Sequence, residues 1–184
     1  VAAMHVAVRL IYSTREDILR GASGWCLLGW IKKPANGILT LNAPEKRYML
    51  YWLYYYFNRH VGEWALDTDG TAPYYKPQQA RDQAKSGGPL TPVLATLSKD
   101  EKQIYLVIAN ASWDKSVPCN VNLKDFPVDK TTGVLLTSDK LDAYPLLEKK
   151  EDAIKDLEIT REEGVITCTI PAHSIAFVTL ERAK

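Results

Sequence analysis

The chain has 184 residues, 46% hydrophobic and 24% charged, which is the composition of a folded globular protein. Its 23 Lys and Arg against 22 Asp and Glu leave a net charge of +1, so there is no basic excess to attract nucleic acid. No apolar run reaches the roughly 18 residues of a membrane-spanning helix.

The opening VAAMHVAVRLIY has neither a basic leader nor a small-residue cleavage site, so it does not read as a signal peptide. Met4, Val8, Ile11 and Tyr12 recur at helical spacing and predict a helix entered partway through a domain. The run GASGWCLLGW, Gly21 to Trp30, is short, apolar and poor in polar alternation. That pattern predicts a strand buried on both faces, as in a parallel sheet. KKPANG, Lys32 to Gly37, has loop composition. Asn42 as cap, Pro44 in the first turn and Glu45 at capping-box spacing then start a helix over Asn42–His60, and Gly62 stops it. Tyr48, Tyr51, Trp52, Tyr54, Tyr55, Tyr56 and Phe57 cover most of its circumference. A sugar or cofactor platform is one reading; the preferred one is a helix packed between two layers.

From residue 63 the texture changes to short β-type runs separated by turn signals. They cover Glu63–Thr68, Thr91–Leu97, Gln103–Ala109, Ser116–Leu123, Gly133–Thr137, Ile154–Thr160, Gly164–Ile170 and Ser174–Leu180. Strands of this length and spacing suggest an antiparallel β-sandwich. Asp69–Gly70 reads as a turn, Arg161 to Gly164 as a hairpin turn, Tyr74 to Pro92 as a long surface loop, and the charged stretch Glu148 to Asp156 as a solvated loop. The expected organisation is thus residues 1–62 as an α/β unit followed by residues 63–184 as an all-β sandwich. Residues 63–184 alone are expected to be the better-behaved piece, since the apolar faces of residues 1–60 want further partners.

Cys26, Cys119 and Cys168 form no metal-binding motif. Cys119 and Cys168 fall on the apolar faces of their strands, which suits two buried free thiols; a disulfide between them is the alternative. His5, His60 and His173 are scattered. His60 suits a helix C-terminus through the dipole, and His173 reads as a surface residue. A Ser174–His173 nucleophile pair is disfavoured because adjacent strand residues point to opposite faces.

Four segments carry a family resemblance: AAMHVAVRLIYSTREDILRGASGW, KRYMLYWLYYYFNRHVGEWAL followed by APYY, KQIYLVIANASWDKSVPCNVNL with Asn110, and TCTIPAHSIAFVTL with Pro171 and Ser174. In these the chain resembles the C-terminal region of barrel α-L-arabinofuranosidases of the retaining clan. The resemblance implies a glycoside hydrolase acting on arabinose- or xylose-containing plant polysaccharides. It also implies that residues 1–62 are the C-terminal portion of a (β/α)8 barrel, that Ala22–Trp30 is its eighth strand and that the two catalytic glutamates, on the fourth and seventh, precede Val1.

Retaining hydrolysis needs two carboxyl groups about 5–5.5 Å apart. The visible barrel strand carries none. Glu16 and Asp17 read as helix-terminal or solvent charges, Glu45 as a cap, and Glu63 as the start of the β region. No catalytic residue, metal ligand or cofactor is therefore assigned. Trp30, at the C-terminal end of the strand where barrel active sites form, is the one candidate substrate-binding residue. Trp25 reads as core and Trp113 as a side chain covering its turn. The expected partners are a carbohydrate substrate, the remainder of the barrel and, as an open option, further copies of the chain; neither nucleic acid nor membrane is expected. A non-catalytic carbohydrate-binding or interaction module is the alternative function, and a sandwich that only braces a barrel is compatible with the first reading.

Overall fold

The computed structural model describes residues 2–15, 28–29, 39–40, 47–75, 88–138, 146–147 and 153–183. In chain order its elements are α1 (Ala2–Arg15), β1 (Leu28–Gly29), β2 (Leu39–Thr40), β3 (Arg47–Tyr48), α2 (Met49–Phe57), β4 (Trp64–Ala65), β5 (Tyr74–Tyr75), β6 (Gly88–Pro89), β7 (Val93–Leu97) and β8 (Gln103–Asn110). Then follow β9 (Val117–Asn122), β10 (Val128–Leu136), β11 (Leu146–Leu147), β12 (Ile154–Asp156), β13 (Ile159–Glu162), β14 (Val165–Ile170) and β15 (Ser174–Arg182).

The centre is a six-stranded antiparallel sheet in the order β12-β10-β15-β8-β7-β4. Strict alternation along its inner strands feeds two separate cores. Ile104, Leu106 and Ile108 of β8 and Ala176, Val178 and Leu180 of β15 face one way. They pack against Ile166, Cys168 and Ile170 of a second antiparallel sheet, β13-β14-β9. Val107, Ala109, Ile175 and Phe177 face the other way and meet the helices. A central strand here is buried on both faces, which explains why the run from Ile104 to Ala109 lacks polar alternation.

Both helices lie on that second face. Ala7, Leu10 and Ile11 of α1, and Leu53, Tyr56 and Phe57 of α2, are the buried positions, each set at i, i+3, i+4 spacing. In α1 the centre of the buried face is Ala7–Ile11 rather than Met4–Tyr12; Met4, Val8 and Tyr12 are half-buried at its edge. The helices lie side by side on the sheet: α1 over β7, β8 and β15, and α2 next to it over β10, with the Tyr56 ring 5.6 Å from Phe177.

Several expectations need correction. The helix expected from Asn42 begins at Met49, because Arg47–Tyr48 pair as a strand with β2 and with β11. Gly62 does not cap α2, which ends at Phe57 and is followed by a turn over residues 58–59. Its lack of a side chain serves a close approach: a Cβ there would lie 2.2 Å from the Leu97 carbonyl oxygen. Asp69–Gly70 forms no turn. The expected strand Ile154–Thr160 is two strands on different sheets, β12 and β13, and so the solvated-loop reading fails from Ala153, which is buried, through Asp156. The chain crosses between the sheets at Leu157, over Gly133, where a Cβ would come within 3.0 Å of the Leu157 side chain. Strand β10 starts five residues before the expected Gly133, since pairing with β15 extends over the polar VDKTT run. Tyr74–Tyr75 pair with Gly88–Pro89 inside the expected loop.

Of the expected barrel strand Gly21–Trp30, Leu28–Gly29 are described; they pair in parallel with Leu39–Thr40. Trp25, Cys26, Trp30, the loop 32–37 and the capping residues Asn42, Pro44 and Glu45 lie outside the described residues. The hairpin expected at Arg161 to Gly164 is present, and its two loop residues, Glu163 and Gly164, both have positive φ (49° and 85°).

Candidate functional site

The residues that carry the resemblance in the β region converge on one end of the six-stranded sheet. Asn110 ends β8 directly opposite Ser174, the first residue of β15. Its Nδ2 donates to the carbonyls of Lys115 (2.8 Å), Ile170 (3.0 Å) and Pro171 (3.0 Å), and its Oδ1 accepts from the Ser112 backbone N–H (3.0 Å). The Ser174 hydroxyl shares a 2.7 Å hydrogen bond with Thr137 and donates to Ala172 O. The His173 N–H reaches Ser112 O, and its ring Nε2–H donates to Ser138 O at 2.8 Å. His173 is therefore half-buried and holds its position at φ 45°, which corrects the surface reading.

This serine–histidine–asparagine grouping is a knot that closes the sheet. Asn110 and Ser174 are fully buried, and the Ser174 hydroxyl is committed to Thr137 and Ala172. The His173 Nε2–H is committed to Ser138 O, and the lone-pair nitrogen Nδ1 is buried without a hydrogen-bond partner, so it is not bonded to the Ser174 hydroxyl. A nucleophile needs access to substrate and a base within hydrogen-bond reach, and neither is present.

Acid–base chemistry finds no place among the described residues either. Every described Asp and Glu is exposed except Glu181, which is half-buried and lies 3.8 Å from Lys130. Among the described carboxyl groups, Asp100 is held below its ordinary value by the Ser98 hydroxyl and the Lys102 N–H that bond it. A general acid for glycoside cleavage needs the opposite displacement. Among the described residues no group of three or more His, Cys, Asp or Glu gathers to hold a metal, and no helix is long and apolar enough to cross a membrane.

His60 follows burial rather than the helix dipole. Its ring lies 5.4 Å from Phe177, 6.0 Å from Tyr56 and 6.1 Å from Tyr105, and its Nδ1–H donates to Tyr56 O. Loss of solvent is the largest effect and lowers its pKa; the bond to Tyr56 opposes this, and Arg59 adds to it.

Binding features are clearer than catalytic ones. Trp113 is 67% exposed, so it does not cover its turn, and Trp64, Tyr74 and Tyr75 are also exposed. Backbone bonds from Leu90 to Pro73 and from Ala111 to Leu90, 2.7 Å each, bring the Tyr74–Tyr75 strand to the same end as the Trp113 turn. The APYY segment had entered through the family resemblance alone; nothing in its spacing marked Tyr74 and Tyr75 as exposed aromatics. A separate open cavity of about 470 Å³ is lined by Phe126, Pro127 and Arg161 among others, but the Arg161 guanidinium is engaged with the carbonyls of Val128 and Asp129.

No family model and no curated protein matches the sequence. Solved structures do match over almost all of it. A family 51 α-L-arabinofuranosidase from Bifidobacterium longum superposes with a TM-score of 0.76 at 18% identity, covering 98% of this chain and 35% of that one. The family 51 enzyme from Thermotoga petrophila gives 0.78 at 16% identity, covering 97% of this chain and 38% of that one. This chain has the fold of the C-terminal region of family 51 α-L-arabinofuranosidases. It spans a little over a third of the length of these arabinofuranosidases. A family 30 subfamily 8 xylanase from Clostridium acetobutylicum matches more loosely, with a TM-score of 0.56 at 16% identity over 97% of this chain and 39% of that one. The arabinofuranosidase likeness covers the helices as well as the sheets, so the α1–α2 layer belongs to the shared fold.

Proposed function

We propose that residues 1–184 form the C-terminal part of a retaining, arabinofuranosidase-like glycoside hydrolase acting on arabinose- or xylose-containing plant polysaccharides. In this reading residues 1–62 end a (β/α)8 barrel, residues 63–184 form a β-sandwich that braces it, and the catalytic carboxylates lie on the remainder of the barrel. The observation that carries the proposal is the match of helices and sheets together, over 97–98% of the chain, to a third of family 51 arabinofuranosidases. Support for the brace comes from one core that the helical layer and the six-stranded sheet share through Leu53, Tyr56, Phe57, Leu136 and Phe177. Trp30 keeps its proposed role as a flat surface for a sugar ring at the barrel mouth.

A chimera tests this. Residues 1–184 replace the matching region of the Thermotoga petrophila arabinofuranosidase, and hydrolysis of an aryl α-L-arabinofuranoside is measured for the chimera and for the chain alone. The expected result is turnover by the chimera, none by the chain, and a raised KM on Trp30→Ala in the chimera. Turnover by the purified chain alone would overturn the assignment of the carboxylates elsewhere. The exposed Trp113, Tyr74 and Tyr75 favour one second reading, a carbohydrate-binding module. Retention of the isolated chain on insoluble arabinoxylan, lost on Trp113→Ala, would select it.

A further inference from the structure

Strands β9 and β14 place Cys119 and Cys168 directly opposite each other in an antiparallel register. Directly opposed residues in such a ladder have Cα atoms about 4.5 or 5.5 Å apart, according to the pair type. Both spacings fall inside the roughly 4.4–6.8 Å that a disulfide spans. The two side chains point to the same side, into the core between the sheets, where Cys168 is 5% exposed and Cys119 is half-buried. The Cys119 thiol donates to the Val117 carbonyl at 3.9 Å, and each of the two thiols displaces the other's pKa. The thiols are free in this structure.

From this register we infer that Cys119 and Cys168 are a dithiol modification site that low-molecular-weight disulfides oxidise to a cross-strand disulfide. The half-buried Cys119 sulfur is where the reagent meets the pair. Each thiol acts on the other: Cys168 is held below the ordinary thiol value and Cys119, with burial adding to the effect, above it, so the two titrate as a pair. In the first step a protein thiolate attacks one sulfur of the reagent, the reagent's S–S bond breaks, and one small thiolate leaves and takes up a proton. In the second step the other cysteine, deprotonated, attacks the protein-side sulfur of the mixed disulfide and releases the second small thiolate. One S–S bond is lost and one formed, two protein thiols become two small-molecule thiols, and two electrons pass from the protein to the reagent.

The place of the bond gives it a consequence. Among the described residues β9 is an edge strand whose one ladder partner is β14. A bond at Cys119–Cys168 staples that edge and closes the loop of residues 119–168 in the unfolded chain. Loops of that length give some of the larger disulfide stabilisations.

The test uses the full chain carrying Cys26→Ser, incubated with oxidised glutathione at neutral pH. Denatured thiol titration, peptide mapping and thermal melts with and without dithiothreitol are the readouts. The expected result is loss of both remaining thiols, a Cys119–Cys168 cross-linked peptide, and a melting temperature raised by roughly 5–15 °C that reductant reverses. Cys119→Ala, at the half-buried position, keeps the fold and abolishes the shift. Persistence of both thiols, or a mixed disulfide with glutathione that stops at Cys119, overturns the inference. So does a cross-link that leaves the melting temperature unchanged or lowers it, because the register then does not hold the pair in bonding geometry.

Discussion

Single residues in this chain mislead when read by type and become plain when read by surroundings. Asn110, Pro171 and Ser174 stood out through resemblance, as motif members without a stated role. The structure gives them one: Asn110 satisfies two carbonyls of the β14–β15 connection and one after β8, which a buried turn would otherwise leave unpaired. That role was not legible, because the partners lie 60 and 61 residues away. His60 was legible in position but not in environment. A helix C-terminus favours the imidazolium, whereas the Tyr56, Phe177 and Tyr105 rings exclude the water it needs. The pH consequence has a definite sign. The unfolded chain takes up a proton at His60 near the ordinary value of 6.5, and the folded chain does so at a lower pH. Above about pH 6.5 the ring is neutral in both states. As the pH falls through 6.5 the unfolded state gains protons first, so stability falls until the folded pKa is reached. The melting temperature is expected to drop between pH 7.5 and pH 5. His60→Phe, which keeps a ring in the same packing, should shrink that drop; an unchanged drop would show that His60 does not set it.

At the scale of elements, the sequence was most readable where burial alternates and least readable where pairing partners decide. Strands β8, β14 and β15 appeared within a residue or two of their bounds because their apolar faces repeat at period 2. The first half of β10 did not, because Asp129 and Lys130 face solvent and only the ladder to β15 makes them strand. The split of β12 from β13 was equally hidden, since a change of sheet leaves no mark in a run of alternating residues. Gly62 shows how a correct signal can carry the wrong cause. Its N–H donates to the Thr96 hydroxyl at 2.8 Å while its α-carbon lies against the Leu97 carbonyl, so it joins the helix exit to β7. A methyl group 2.2 Å from a backbone oxygen cannot be relieved by a side-chain rotation. Gly62→Ala is therefore expected to cost about 2 kcal/mol or more by chemical denaturation. Gly70→Ala, with open space around its α-carbon, should stay within about 0.5 kcal/mol. Equal effects of the two substitutions would remove the close-approach explanation.

For the whole molecule, the two-part texture of the sequence suggested a boundary near residue 62 with residues 63–184 the more soluble piece, although the aromatic helix was expected to turn one face to the sandwich, as it does. The distribution of the core argues the reverse. One face of the six-stranded sheet is covered by the three-stranded sheet, but Leu94, Val107, Ala109, Leu136, Ile175 and Phe177 on the other face are covered by Ala7, Leu10, Ile11, Leu53, Tyr56 and Phe57. Removing residues 1–62 uncovers a contiguous apolar face in the middle of the sheet, of the kind that drives association when it has no partner. The all-round aromatic helix pointed to such a contact, but not to the strands beneath it: Ile175 and Phe177 alternate with Ala176 and Val178, and a strand buried on both faces looks like one whose second face is merely tolerant. Residues 63–184 expressed alone should therefore bind a hydrophobic dye more strongly, melt at a lower temperature and self-associate at lower concentration than residues 1–184. Substituting Phe177 and Ile175 by Thr in the shortened chain should reduce dye binding, because those side chains lie at the centre of the uncovered face. The same pair of substitutions in the whole chain should destabilise it, since there they fill the core beneath α2. Comparable dye binding and melting temperatures for the two lengths would mean that the helical layer is dispensable to the sheet, and the brace would then have to act through some other surface.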